Sequence, residues 1–266
     1  HATGHLLYFR FFTKFLYDLG YLKVDEPALK LFNHGMVLDA KGEVMSKSKG
    51  KTVDPDLIIE KYGADALRLF ILFAAPPEDQ LEWNDNAIDG SWRFLNRVWL
   101  LAENRYQPLD DQISNADLDV DDKDMERERH AAIKKVTEDI SLYKFNSAVS
   151  SLMILMNRID KYQVEEKSKI KQKILNRSIK TMVLLLSPFA AHMAEEIWQK
   201  ISGKVESIVH VSWPMFDESA MKRDSIHIVA QVNGKIRGQF DVPADITEEE
   251  LKAIIFADQK VQEHVA

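Results

Sequence analysis

The sequence predicts a mainly α protein: a central antiparallel helix bundle, a mixed segment of helices and turns before it, and a small, truncated α/β piece after it. Three observations predict this. Between Asn84 and Ile201, apolar residues recur three and four apart, as in Ile88, Trp92, Leu95 and Val98, the spacing of a buried helix face. From Ile226 to Pro243 the period becomes an alternation around Asn233-Gly234, a strong hairpin signal. Proline punctuates the joints at Pro76-Pro77 and Trp213-Pro214, where regular structure tends to stop. The expected domains are therefore 1–78, 79–222 and 223–266.

The first element, residues 6–19, is apolar on nearly every side. Leu7, Phe11, Phe15 and Leu19 form one stripe, Phe9, Phe12 and Leu16 another, and Gly20 supplies a stop. A helix of that composition needs a partner surface, expected upstream of His1. Residues 35–38 and 43–45 flank Asp39-Ala40-Lys41-Gly42 and read as a hairpin with Gly42 at positive φ. Asp54-Pro55 is an N-cap followed by proline at the first helical position. Helices over 55–62 and 65–73 follow, divided by Gly63.

Beyond Asn84 a long helix faces inward through Ile88, Trp92, Leu95, Val98, Trp99 and Ala102. Trp92, Trp99 and Trp198 read as core anchors. Residues 107–122 carry six aspartates and no basic residue, the composition of an exposed acidic connector. Amphipathic helices are expected over 123–141, 145–162 and 168–186. Ser187-Pro188 reads as a further cap-and-proline start for a helix reaching Ile201. Short loops between such helices make a bundle. After the hairpin, Thr247-x-x-Glu250 is a capping box opening one last helix. A hairpin with a single helix is marginal, so one or two further strands are expected downstream.

Composition narrows the functional class. The chain has 266 residues, 45% hydrophobic and 29% charged, as ordinary globular domains do. With no cysteine, disulfides and cysteine–zinc sites are excluded, and a reducing, cytoplasmic setting fits. Apolar runs fall short of the roughly 18 residues of a membrane span, and no secretory signal is present. A formal charge of −7 argues against a general nucleic-acid coat, so any polyanion contact has to be a local patch. One such patch exists: residues 41–51 hold four lysines against one glutamate. It reads either as a solvated loop or as a loop that meets phosphate.

Six stretches carry a family resemblance. They are His1-Ala2-x-x-His5-Leu6-Leu7-Tyr8-x-Arg10, Val44-Met45-Ser46-Lys47-Ser48, Tyr62-Gly63-Ala64-Asp65-x-x-Arg68, residues 93–99 (Arg93 to Trp99), Ser187-Pro188…His192…Glu195-Glu196-x-Trp198, and Val232-Asn233-Gly234-Lys235-x-Arg237-Gly238. In this order they resemble class I aminoacyl-tRNA synthetases, and among them the bacterial leucyl-tRNA synthetases. The second stretch resembles the Lys-Met-Ser-Lys-Ser signature, with Val44 in place of the first lysine. Lys51 stands where asparagine is more usual, and Ala191 where proline often stands. The His-x-Gly-His signature and the inserted editing domain have no counterpart here. His1 and His5 are spaced four apart like a zinc pair, but without the glutamate such a site uses.

The resemblance implies a fold and an activity. Residues 1–78 would be the remnant of a class I catalytic α/β domain, and the bundle and terminal domain would hold the body of tRNA(Leu). Leucine would be activated with ATP, accompanied by Mg2+, and transferred to tRNA. Met45, Ser46, Lys47 and Ser48 would bind ATP, with Lys47 the catalytic lysine, while His1 and His5 would lie at the leucine and adenylate pocket. Lys235 and Arg237, two apart in a strand, would share a face and contact tRNA phosphates; a solvated hairpin tip is the other reading. His5 also reads simply as a polar residue near a helix end, and His192 as structural. No metal site and no membrane partner are expected, and the protein would be monomeric. The rival is a stand-alone tRNA-binding or protein-interaction helical module, which would have no use for a phosphate-meeting lysine loop.

Overall fold

The computed structural model describes residues 2–39, 41–45, 52–109, 113, 118–165, 168–203, 206–222, 225–243 and 246–265. The chain divides into two compact units, His1–Phe216 and Asp217–Ala266.

The larger unit opens with a wide π-helical stretch, Ala2–Phe9, continued by α1 (Arg10–Asp18). Its apolar side chains are exposed: Leu7 at 62%, Phe11 at 64% and Phe15 at 48%. An irregular stretch leads to β1 (Val37–Leu38), then α2 (Pro55–Tyr62) and α3 (Ala64–Ala74). Asp54 caps α2 as the sequence indicates, its carboxylate accepting from the Asp56 N–H at 3.0 Å. Beyond Pro76-Pro77 the chain returns as β2 (Leu81–Glu82) and pairs in parallel with β1, Val37 opposite Leu81. Two-residue strands carry no alternation to read, so this pairing was invisible to periodicity.

The bundle comprises α4 (Asp85–Arg105), α5 (Val120–Ser141), α6 (Phe145–Lys161), α7 (Lys169–Leu186) and α8 (Ala191–Ser202). Its core includes Leu95, Val98, Ile133, Val136, Leu152, Ile159, Ile174 and Met182, all at most 5% exposed. Each such side chain contributes about 1.5–3 kcal/mol by leaving water. Ala66 and Leu69 of α3 belong to the same core, so α3 packs as part of the bundle. Trp99 and Trp198 pack against it. Trp92 does not; at 44% exposed, it is a surface residue.

Two further expectations are corrected. The acidic connector is not exposed to its end: Asp119 and Asp122 form a capping box at the start of α5, and Asp122 is buried at 3%. There the Tyr162 hydroxyl donates to Asp122 at 2.5 Å, and the Lys171 ammonium reaches Asp122 at 3.1 Å and Asp119 at 2.7 Å. Burial of a carboxylate is tolerated because donors surround it. Ser187-Pro188 does not start α8. Ser187 terminates α7, its hydroxyl bonded back to the Leu184 carbonyl at 2.9 Å, and α8 begins at Ala191 without a cap of its own.

The smaller unit is an antiparallel hairpin, β3 (Ser225–Val232) and β4 (Lys235–Pro243), followed by α9 (Glu248–Ala257) and α10 (Gln259–Val265). Asn233 and Gly234 turn it at φ +53° and +76°, the left-handed pair a two-residue turn requires. The Thr247–Glu250 capping box is present in both directions. The single last helix read from the sequence is broken at Asp258 into two.

Candidate functional site

The described residues just before the lysine-rich stretch, 37–39 and 41–45, are well braced. The Asp39 N–H donates to the Glu43 carbonyl at 2.8 Å, and one Asp39 carboxylate oxygen accepts the N–H groups of Lys41 and Glu43, both at 2.9 Å. Gly42 closes the turn at φ +75°, where a side chain would be strained. Leu38 bridges Val44, and the Met45 N–H donates to the Val37 carbonyl at 3.2 Å. Met45 is thus held to β1, and it is the last described residue before Thr52. Ser46, Lys47, Ser48, Lys49 and Lys51, like His1, lie outside the described residues. The chain is described again from Thr52, and Asp54 fixes it to α2.

Beside this braced segment is an open hollow of about 450 Å³, lined by His5, Leu31, Phe32, Asn33, His34 and Met36. Met36 adjoins Val37, the residue that anchors Met45, so hollow and loop root share one stretch of backbone. The stretch is pinned from below: the Gly35 N–H donates to the Pro77 carbonyl at 2.7 Å. A Cβ at Gly35 would stand 1.8 Å from the Asp79 carbonyl oxygen, so only glycine permits that approach. On the exposed helix nearby, Arg10 and Lys14 hold Glu26 at 2.6 and 2.9 Å. Hydrogen bonds from Arg10, then Lys14, pull the Glu26 pKa down to about 2.

The structure also brings two of the distant sequence stretches together. Asp65, in the first turn of α3 and 8% exposed, meets His192 Nδ1 at 2.9 Å with one carboxylate oxygen. With the other it accepts the Met193 N–H at 2.7 Å. Arg68 donates to the Pro188 carbonyl at 3.4 Å. Asp65 therefore caps α8 from another helix, which is why α8 needs no local cap. Further along α8, Glu195 accepts from the Ser207 hydroxyl at 2.7 Å and from the Ile208 N–H at 3.0 Å.

In the smaller unit the ladder slips between Ala230 and Gln231: Ile236 faces Gln231 and Gly238 faces Ala230. Arg237 is the residue left without a cross-strand partner, half-buried, while Lys235 opposite Val232 is exposed. The bulge makes the two cations unequal. Among the described residues no cluster of three or more His, Asp or Glu side chains could hold a metal ion, and no helix is long and apolar enough to cross a membrane.

Sequence reasoning did not single out Asn33, His34, Gly35 or the capping role of Asp65. The first three sit in irregular chain with no period. Asp65 is the second residue of its helix, two after Gly63, a place where an aspartate reads as serving its own helix.

The chain matches two family models: tRNA synthetases class I (I, L, M and V) over residues 2–84, and the anticodon-binding domain of tRNA ligase over residues 122–253. It is 50% identical over 258 residues to a leucine–tRNA ligase of Fervidobacterium nodosum, covering 95% of this chain and 31% of that protein. A leucine–tRNA ligase of Thermosipho melanesiensis is 45% identical, covering all of this chain and 32% of that protein. Among solved structures, a LeuRS of Agrobacterium radiobacter, crystallised as a ternary complex with tRNA and LeuAMS, aligns with a TM-score of 0.78 and 32% identity. That alignment covers 99% of this chain and 34% of the other. The chain thus spans about a third of the length of the relatives it matches.

Proposed function

We propose that this chain is the C-terminal region of a class I tRNA synthetase, a leucine–tRNA ligase of the bacterial kind and a monomeric cytoplasmic enzyme. The observation that carries the reading is the joining of the Met45 loop root to the His5 hollow through Met36 and Val37. A phosphate-meeting loop beside a small-molecule hollow suits an amino-acid-activating enzyme and has no purpose in a pure binding module.

In the proposed reaction a leucine carboxylate oxygen attacks the α-phosphorus of ATP, the bond to the β-phosphate oxygen breaks, and pyrophosphate leaves. A ribose hydroxyl of tRNA(Leu) then attacks the leucyl carbonyl and displaces AMP. Negative charge grows on the departing pyrophosphate, and Lys47, with Ser46 and Ser48, meets it mainly in the transition state, where binding lowers the barrier. Met45 sets where that loop begins. Magnesium enters with ATP. Residues 1–78 belong to the catalytic domain, 79–222 grip tRNA, and 223–266 contribute Lys235 and Arg237 to its backbone. His1 and His5 stand at the leucine and adenylate pocket; His5 lines the hollow.

The test uses the intact enzyme. Lys47→Ala is expected to lower leucine-dependent ATP–pyrophosphate exchange by about a hundredfold or more, the scale of a single electrostatic interaction made in the transition state. The KM for leucine should stay nearly constant. A mild Lys47→Ala beside a crippling Lys49→Ala would reassign the lysine, and no exchange in the unsubstituted enzyme would remove the reading.

A further inference from the structure

The Asp65–His192 contact joins the element that follows the signature loop to the helix bundle. α3 is fastened to the α7–α8 turn on two sides, by Asp65 at the start of α8 and by Arg68 at the Pro188 carbonyl. α2, which begins after Asp54, rests Ile58 and Tyr62 on Leu67 and Phe70 of α3, on Leu81 and on Ile88 of α4, and Tyr62 also packs against the bundle core. Between α2 and α3 stands Gly63 at φ +85°, with open space where a Cβ would be. Along the chain α2 is thus followed by Gly63 and then by α3, which is anchored to α8.

The anchor has an unusual composition. The backbone half, Asp65 to the Met193 N–H, is partly buried and is sufficient to cap α8. The side-chain half, Asp65 to His192, uses a histidine whose side chain is 75% exposed. A pair with so exposed a partner adds little to stability. It does fix the rotation of α8 about its first turn against α3, because the carboxylate is held by both oxygens at once.

We propose that Asp65 and His192 are positioning residues for aminoacyl transfer: they hold the tRNA-gripping bundle in register with the loop and the adenylate pocket. The proposal rests on the ligase reading above. Transfer needs the tRNA terminal hydroxyl within near-attack distance of the leucyl carbonyl, and a displacement of about 1 Å is enough to cost on the order of a hundredfold in rate. Adenylation involves no group carried by the bundle, so it is spared.

The experiment compares intact enzyme with His192→Ala and His192→Asn, the latter keeping a short amide donor for Asp65. Steady-state tRNA charging, leucine-dependent pyrophosphate exchange, tRNA binding and Tm are read for each. The expected result for His192→Ala is a kcat for charging at least tenfold lower, with the KM for tRNA, pyrophosphate exchange and Tm all nearly unchanged. His192→Asn should recover most of the loss. An unchanged kcat, an exchange rate falling in step with charging, a loss carried by KM for tRNA or by Tm, or no recovery with asparagine would each overturn the positioning role. Failure of the unsubstituted enzyme to charge tRNA with leucine would instead overturn the ligase reading on which the proposal stands.

Discussion

The helix bundle and the first thirty-six residues of the larger unit handle apolar surface in opposite ways. In the bundle, Ile133, Leu152, Ile174 and Met182 are fully enclosed. In the opening segment Leu7, Tyr8, Phe11 and Tyr21 are 61–77% exposed, and the one buried side chain among those described is Thr13, whose hydroxyl turns back to the Phe9 carbonyl at 2.8 Å. The bundle carries its own stability. The opening segment carries candidate chemistry, His5 and the wall of the hollow, on a surface this chain does not cover. Stability and reactivity are housed apart.

The harshest way to break that contrast is to ask the chain for chemistry on its own. The 266-residue chain is expected to give no leucine-dependent pyrophosphate exchange above background. It spans about a third of its relatives' length, and the hollow beside Met36 is open. Its thermal unfolding, followed by circular dichroism, should still be cooperative because the bundle core is complete. Turnover by the isolated chain would show that the reactive half is not dependent on anything further.

Stability measurements sharpen the same division. Leu152→Ala should destabilise the chain by about 2–5 kcal/mol in urea unfolding, the range for a filled core site. Phe11→Ala in the opening segment should stay within about 0.5 kcal/mol. Asp122→Ala, which leaves the Tyr162 hydroxyl and the Lys171 ammonium without their buried acceptor, should cost on the order of 3 kcal/mol. Comparable losses at Phe11 and Leu152 would erase the distinction.

The polar cluster under Asp122 also has a pH signature. Hydrogen bonding to Lys171 lowers the pKa of Asp119. For Lys171, burial pulls downward, but bonds to Asp119 and Asp122 outweigh it and the net direction is up. A depressed carboxylate contributes stability above its unfolded pKa and loses it as pH falls through the folded one. A raised lysine contributes below its unfolded pKa and loses it as pH rises through the folded one. The pair therefore stabilises across the window from about pH 3.9 to about pH 10.4, the unfolded values of the two groups. In Lys171→Met the acid side of the urea-midpoint profile should flatten; an unaltered profile would mean the pair is electrostatically silent.

Most of this architecture was legible in the sequence, and the parts that were not share a cause. Asp54-Pro55, Asn233-Gly234 and Thr247–Glu250 each act within a few residues, so local chemistry decides them, and all three behave as read. Ser187-Pro188 carries the same signal as Asp54-Pro55 yet ends one helix instead of starting the next, because Asp65, far away in sequence, supplies the cap. The β1–β2 pairing and the burial of Asp122 are also long-range. At the candidate site, the motif points to the lysine loop, whereas His34 and Asn33 come to the hollow only through the tertiary course of irregular chain.

The gentlest expected effect lies in the smaller unit, where the bulge separates two cations that the sequence placed on one face. Lys235 is exposed and Arg237 half-buried, and backbone contacts of this kind supply affinity more than sequence discrimination. In the intact enzyme, Lys235→Ala with Arg237→Ala should weaken tRNA binding at low salt. The log–log salt dependence should flatten by roughly one to two units, about 0.7–0.9 for each phosphate no longer neutralised. Because Arg237 is partly enclosed, Lys235→Ala alone should account for the larger share of that flattening. Pyrophosphate exchange should be untouched, since these residues belong to the compact unit Asp217–Ala266 while the Met45 loop root belongs to the other. The measurement is tRNA affinity across a salt series for the single and double variants. An unchanged slope would identify both cations as ordinary solvated hairpin residues, and a slope altered by Arg237→Ala alone would mean that the half-buried guanidinium, not the exposed ammonium, faces the phosphates.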